Sequence, residues 1–170
     1  LVILNILTLM GADVTDRNHR GIGGEPVADL QVRHAPLHGI DIPEDEVPLA
    51  IDEFPALFIA AACATGTTIL RGASELRVKE SDRIAAMAEG LTTLGIKNEP
   101  TPDGIVIEGG KLSGGSVRTF HDHRIAVAFA IAGLRASAPI EVLDCEHVAT
   151  SFPGFAELIS SAGLKLDARP

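Results

Sequence analysis

Nearly unbroken apolar blocks alternate along this chain with short β-branched runs and polar, glycine-marked turns. Residues 1–10 read as the end of a helix or buried segment, closed by Gly11, with a short strand at Ala12–Val14 and a polar turn over Asn18–Gly24. Ala28–His34 alternates as a strand, with Ala28, Leu30 and Val32 on one face and Asp29, Gln31 and Arg33 on the other. An extended piece, Gly39–Pro43, leads to an acidic loop, Pro43–Pro48. Asp52 as N-cap and Pro55 in the first turn predict a helix that is apolar from Leu57 to Ala64, hence buried on most sides, and ended by Thr65-Gly66. Thr67–Arg71 reads as a strand. A helix is expected from about Glu80 to Leu94, with Ile84, Met87, Leu91 and Leu94 on one face and Gly95 as terminator. Ile96–Pro100, Gly104–Glu108 and Lys111–Ser113 read as short strands, Gly109-Gly110 as a hairpin turn and Ser113–Ser116 as another turn. Asp122 then opens an apolar helix, Ile125–Leu134, followed by a strand at Pro139–Leu143. A last helix, Pro153–Ser161, is capped by Thr150 or Ser151 and stopped by Gly163, before a strand at Leu164–Leu166 and a polar end.

The pattern repeats. Asp52, apolar helix, strand, helix and Gly95 are matched in order by Asp122, apolar helix, strand, helix and Gly163. Repeat units of 1–48, 49–118 and 119–170 follow. Two buried helices per unit place helices inside and short-stranded sheets outside. A doubly wound α/β fold instead buries its sheet. The fold class expected is α/β (α+β), built of repeated units.

Composition narrows the function. The 46% hydrophobic content of the 170 residues supports a packed core. A net charge of −9 disfavours nucleic acid and anionic membrane as partners, and the lack of Trp and Tyr disfavours a base-stacking platform. Cys63 and Cys145 lack metal spacing and read as reduced core thiols, as in a cytoplasmic protein. No run reaches the 18 or so apolar residues of a membrane span. The chain opens on Leu1-Val2-Ile3-Leu4 without Met, so a piece of a longer protein is expected.

Against this acidic background, cations stand at helix starts. Lys79 and Arg83 are four apart and are expected to share a face at the amino end of the Glu80–Leu94 helix, where the macrodipole disfavours positive charge. Arg124, inside His121-Asp122-His123-Arg124, likewise stands at the start of an apolar helix, again a cation at the wrong end of the dipole. Two readings stay open. One is a surface ion-pair cluster with Ser81 or Asp82 as cap. The other is an anion site in which Lys79, Arg83 and Arg124 converge with Asp52 and Glu80. Asp52-Glu53 likewise reads as a cap or as a carboxylate poised to take a hydroxyl proton. The paired histidines raise the question of a metal, but no third ligand has recognisable spacing, and Asp122 reads as an N-cap.

The strings at these positions resemble the EPSP synthase family of enolpyruvyl transferases. They are Glu75-Leu76-Arg77-Val78-Lys79-Glu80-Ser81-Asp82-Arg83-Ile84, Asp122-His123-Arg124-Ile125-Ala126, Ile51-Asp52-Glu53-Phe54-Pro55, Ala149-Thr150-Ser151-Phe152-Pro153 and Gly23-Gly24-Glu25-Pro26-Val27-Ala28-Asp29-Leu30. The resemblance implies two domains of three βαβαββ units each, this chain forming most of the C-terminal one and the N-terminal domain being absent. It implies transfer of the enolpyruvyl group of phosphoenolpyruvate to the 5-hydroxyl of shikimate 3-phosphate, without a cofactor, in a cytoplasmic monomer that is inactive as this piece alone. On it, Asp52 contacts the shikimate hydroxyls and acts as base, and Glu80 protonates the phosphoenolpyruvate methylene and takes the proton back. Lys79 bridges the two substrates and is a further candidate for the proton work, Arg83 and Arg124 hold phosphoenolpyruvate, and His123 stands behind them. Glu75 occupies a substrate-side position where many members carry Asn. The loop Asp144-Cys145-Glu146-His147 lacks a lysine that some members have just before the final Thr/Ser-Phe-Pro string. The alternatives are a non-catalytic domain binding a phosphorylated metabolite and a UDP-N-acetylglucosamine enolpyruvyl transferase.

Overall fold

The computed structural model describes residues 2–167; Leu1 and the end of the chain, 168–170, lie outside them. Helix α1 (Val2–Leu9) leads through Gly11, at φ +96°, into a long antiparallel hairpin, β1 (Asp13–Ile22) and β2 (Glu25–Arg33). The expected turn over Asn18–Gly24 is mostly strand. Only Gly23 and Gly24 turn, both at positive φ, as a two-residue hairpin loop requires. Asn18 marks a register shift between Arg17 and Arg20, pinned by Asn18 Nδ2 and Arg20 Nη1 donating to Asp29 at 2.9 Å each. The alternating stretch Ala28–His34 does fall on a strand, β2, but the alternation marks no buried face: Leu30 is 47% and Val32 66% exposed.

From residue 38 to 108 the order is strand, helix, strand, helix, strand, strand. The first strand is represented by parallel bridges of His38 to Thr65 and of Asp41 to Ile69. After it come α2 (Phe54–Cys63), β3 (Thr67–Leu70), α3 (Arg83–Thr93), β4 (Asn98–Thr101) and β5 (Gly104–Glu108), with the sheet order β3-β5-β4. Then β6 (Gly115–Arg118), α4 (His123–Ala132) and β7 (Ile140–Leu143) form a parallel pair with a helical crossover, followed by α5 (Val148–Ser151) and α6 (Phe155–Ser161). The fold is therefore α/β with short mixed sheets, and its helices carry the core. Phe54, Leu57, Phe58, Ile59, Ala61 and Ala62 of α2 are all buried, matching a helix apolar all round. It packs against α4 through Ile125, Ala128 and Phe129, and α3 adds Ile84, Met87 and Leu91.

Gly90 is what lets α3 approach α4. A Cβ there would lie 2.2 Å from Phe129 Cζ. Gly90→Ala is therefore expected to destabilise the chain by about 1–3 kcal/mol despite alanine's better helix propensity, read as a lowered urea midpoint. Stability equal to or above the parent would refute this packing.

Other expectations shift. Ser113–Ser116 was read as a turn and Lys111–Ser113 as a strand, but the strand is Gly115–Arg118, formed by pairing with β7 and burying only Val117. The β4–β5 hairpin turns at Pro102-Asp103, not at Gly109-Gly110. Gly109 instead crosses the end of α2, where a Cβ would lie 1.9 Å from the Ala64 carbonyl oxygen. The last helix is split: Thr150 and Ser151 lie within α5, and α6 starts after Gly154, whose left-handed φ of +79° breaks the chain direction. Leu164–Leu166 forms no strand. Cys63 is half-buried, and desolvation pushes its thiol up against the opposing charge and hydrogen bond of Arg135. Cys145 is exposed and is not the core thiol expected, because its loop sits at the rim. No helix of the described residues is long and apolar enough to cross a membrane.

Candidate active site

The candidate residues all sit where a strand runs into a helix. The stretch after 38–42 delivers Asp52, the one after β3 delivers Glu75, Lys79, Glu80 and Arg83, and the one after β6 delivers Asp122, His123 and Arg124. Because the first two strands pair in parallel and each connection leads into a core helix, these three loops gather at one end of the fold. Buried side chains moor two of them: Val47 for the first and Leu76 for the second.

Local structure differs from the expectation in two instructive places. Asp52 does not cap α2. It lies in a 3-10 turn, Ile51–Glu53, and α2 starts at Phe54 with no side-chain cap bond. Pro55 near the helix start removes one donor that a cap would serve, which leaves the Asp52 carboxylate free for other partners. Lys79 and Arg83 do not share a helix face either. Lys79 is extended, just after a second 3-10 turn, Ser74–Val78, and α3 begins only at Arg83. Asp82 sets that start by accepting from the Ala85 N–H at 2.9 Å, since short acidic side chains favour caps over helix interiors.

The side chains nevertheless meet. Asp52 Oδ1 lies 3.0 Å from Arg83 Nη1 and 3.4 Å from Lys79 Nζ. Its Oδ2 is 3.8 Å from Arg124 Nη2, while Arg124 Nη1 donates to the Asp52 carbonyl at 2.9 Å. Lys79 also pairs with Glu75, and Arg83 with Glu80. Three cations, Arg83 and Arg124 from two helix starts and Lys79 from the loop before the first of them, thus surround one carboxylate. His123 begins α4, half-buried, and takes part in none of these ion pairs among the described residues.

Two organising residues were not legible as such. Asp122 caps α4 as expected, accepting from the Arg124 N–H at 3.0 Å. It also accepts from Arg83 Nε at 2.8 Å and from Ser81 Oγ at 3.1 Å, with both Asp122 and Arg83 buried. Arg77 staples the loop from the far side, donating to Asp82 at 2.7 Å and to the Pro102 and Thr101 carbonyls. A buried Asp across the fold leaves no local sequence signal. The Arg77–Asp82 pair does leave one, opposite charges flanking Val78-Lys79-Glu80-Ser81.

Desolvation disfavours the charged form of Asp52. The charges of Arg124 and Lys79 and the hydrogen bonds from Arg83 and Lys79 outweigh it and hold the carboxyl below its ordinary 3.8. For Lys79 the Glu75 hydrogen bond and the Asp52 charge outweigh desolvation and raise it above 10.5. A depressed carboxylate contributes stability that is complete above its unfolded value and is lost as pH falls through the folded one. Acidification below about pH 4 should therefore weaken the chain, and Asp52→Asn should lose less stability over that range than the parent does. Urea midpoints between neutral pH and pH 3 check this; identical acid sensitivity of the two would contradict it. Chemically, the cluster offers guanidinium forks and an ammonium to an oxyanion, beside carboxylates able to move protons.

The model of the EPSP synthase (3-phosphoshikimate 1-carboxyvinyltransferase) family matches residues 1–159. A curated 3-phosphoshikimate 1-carboxyvinyltransferase from Methylococcus capsulatus is 64% identical over 97% of this chain and 38% of its own length. A solved EPSP synthase from Acinetobacter baumannii superposes with a TM-score of 0.96 at 56% identity, covering 99% of this chain and 40% of that one. The enolpyruvyl transferase NikO from Streptomyces tendae, at 21% identity and a TM-score of 0.72, shares the fold. The chain spans about two-fifths of the length of the curated relatives it matches.

Proposed function

The chain belongs to the EPSP synthase family, and from that premise we propose that it is the C-terminal part of a 3-phosphoshikimate 1-carboxyvinyltransferase, made of repeat units 1–48, 49–118 and 119–170. Its substrates are phosphoenolpyruvate and shikimate 3-phosphate, and its partner is the remaining, N-terminal part of the same cytoplasmic protein. The observation that carries this reading is the convergence of Lys79, Arg83 and Arg124 on Asp52. Helix starts loaded with cations suit a doubly anionic small molecule better than they suit the helices themselves.

The resemblance supplies the roles, and the geometry supports them. Arg124 is the most exposed of the three cations and receives phosphoenolpyruvate together with Arg83. Cations around Asp52 hold its carboxyl ionised and so make it a weak base. Phosphate and carboxylate groups arriving on Arg124 and Lys79 offset those charges and raise its basicity, as a proton acceptor from the 5-hydroxyl requires. Glu80, half out in solvent and paired with Arg83 on one side, delivers a proton to the methylene carbon. The hydroxyl oxygen adds to the adjacent carbon, giving a tetrahedral intermediate. Return of the methyl proton to Glu80 expels phosphate. Glu75 holds Lys79 on the shikimate side, and His123 stands behind Arg124.

The test is to coexpress the chain with the remaining three-fifths of a relative and assay phosphate release. Turnover with shikimate 3-phosphate is the expected result. Turnover only with UDP-N-acetylglucosamine, or binding of both substrates without phosphate release, would replace the proposal with one of its alternatives.

A further inference from the structure

A second cluster of chemistry-bearing side chains lies outside the cation site. His121 and the pair Glu146-His147 come from two loops, those that follow the parallel strands β6 and β7. One donor atom from each lies within 4.8 Å of the others, and among the described residues this is the only such group of three. His121 Nδ1 is 3.2 Å from Glu146 Oε1, and the His121 and His147 rings meet edge-on at 5.6 Å.

The backbone is shaped to bring them there. Four non-glycine residues of the described chain have positive φ, and three stand in these loops: Phe120, His121 and Asp144. Such conformations cost roughly 1–3 kcal/mol each and persist where the surroundings over-determine them. Here the loops are stitched together. Thr119 Oγ1 donates to the Leu143 and Asp144 carbonyls at 2.9 and 2.6 Å, and Arg118 reaches both Asp144 and the face of Phe120.

We propose that His121, Glu146 and His147 form a binding site for a divalent first-row transition-metal ion of borderline softness, such as Zn²⁺. Two imidazoles and one carboxylate suit such an ion, with a fourth position left to water. Bonds of about 2.0–2.2 Å in a tetrahedral site place donors roughly 3.3 Å apart. The His121–Glu146 pair already has that spacing, and all three side chains are exposed, so His147 closes the remainder by side-chain rotation. Sequence spacing hid the site, because two of its three ligands, Glu146 and His147, come from a loop far from His121 along the chain. An ion there ties the 144–147 loop to the start of α4. The site does not depend on the proposed enzymatic reaction.

Calorimetric titration of the chain with ZnCl₂ in a non-chelating buffer tests it. One ion per chain is expected, with a dissociation constant on the order of micromolar and a raised unfolding temperature. His121→Ala and His147→Ala should each weaken binding at least about tenfold. His19→Ala should leave it unchanged, since His19 faces only Asp16. Co²⁺ should give visible d–d bands that disappear in His121→Ala. If that variant fails to fold by circular dichroism, Glu146→Gln takes its place. No saturable Zn²⁺ binding, or equal affinity in the histidine variants, overturns the proposal.

Discussion

Asp122→Ala is expected to lower the unfolding free energy by about 3–5 kcal/mol, enough to leave a chain of ordinary stability close to its unfolding midpoint. Arg83 is 1% exposed and Asp122 fully buried, and the pair is joined at 2.8 Å. Removing the carboxylate leaves a buried guanidinium held only by the half-exposed Asp52 and Glu80, and it also uncaps α4. A double variant, Arg83→Met with Asp122→Leu, removes both charges and should be more stable than Asp122→Ala, because an apolar pair avoids the unpaired charge. Urea unfolding of the three proteins decides. A loss below about 1 kcal/mol in Asp122→Ala would mean that water reaches Arg83 and that the buried pair does not organise the site.

If the proposed reaction holds, Glu80→Gln in the assembled protein should lower kcat by about 10²–10⁴ with little change in KM. The amide is nearly isosteric and keeps an oxygen for Arg83, so the site keeps its shape. It cannot release or retrieve a proton. Since Glu80 is half-exposed, folding stability should not move. An unchanged kcat would remove Glu80 from the proton transfers and leave Lys79 as the acid.

The buried helices were the most legible part of the fold, because a helix apolar all round has only one stable place. The convergence of Asp52, Lys79, Glu80, Arg83 and Arg124 was legible as one of two readings, since these charges gather at and just before the starts of apolar helices. What the residues could not reveal depends on contacts made far along the chain. The β1–β2 hairpin carries no buried face to mark it, and β6 exists because β7 pairs with it. Asp52 reads as a cap because an Asp with a Pro three residues on, ahead of an apolar run, is the pattern of a helix start; the competing cations belong to other segments. Lys79 was placed on a helix because the Asp82 cap outcompetes a helical continuation only once Arg77 fixes Asp82. Asp122 as the partner of Arg83, and Glu146-His147 beside His121, are contacts between loops with no local period to reveal them.

The central claim to test is that Lys79, Arg83 and Arg124 receive an anion. Arg124 is the cleanest probe, because its guanidinium is partly exposed and its loss leaves no buried charge unpaired. Calorimetry of phosphoenolpyruvate binding to the assembled protein should show an affinity at least about tenfold lower for Arg124→Met than for the parent, at unchanged folding stability, as expected for a charge-assisted contact worth about 1.5–3 kcal/mol. Equal affinity in the two proteins would contradict it.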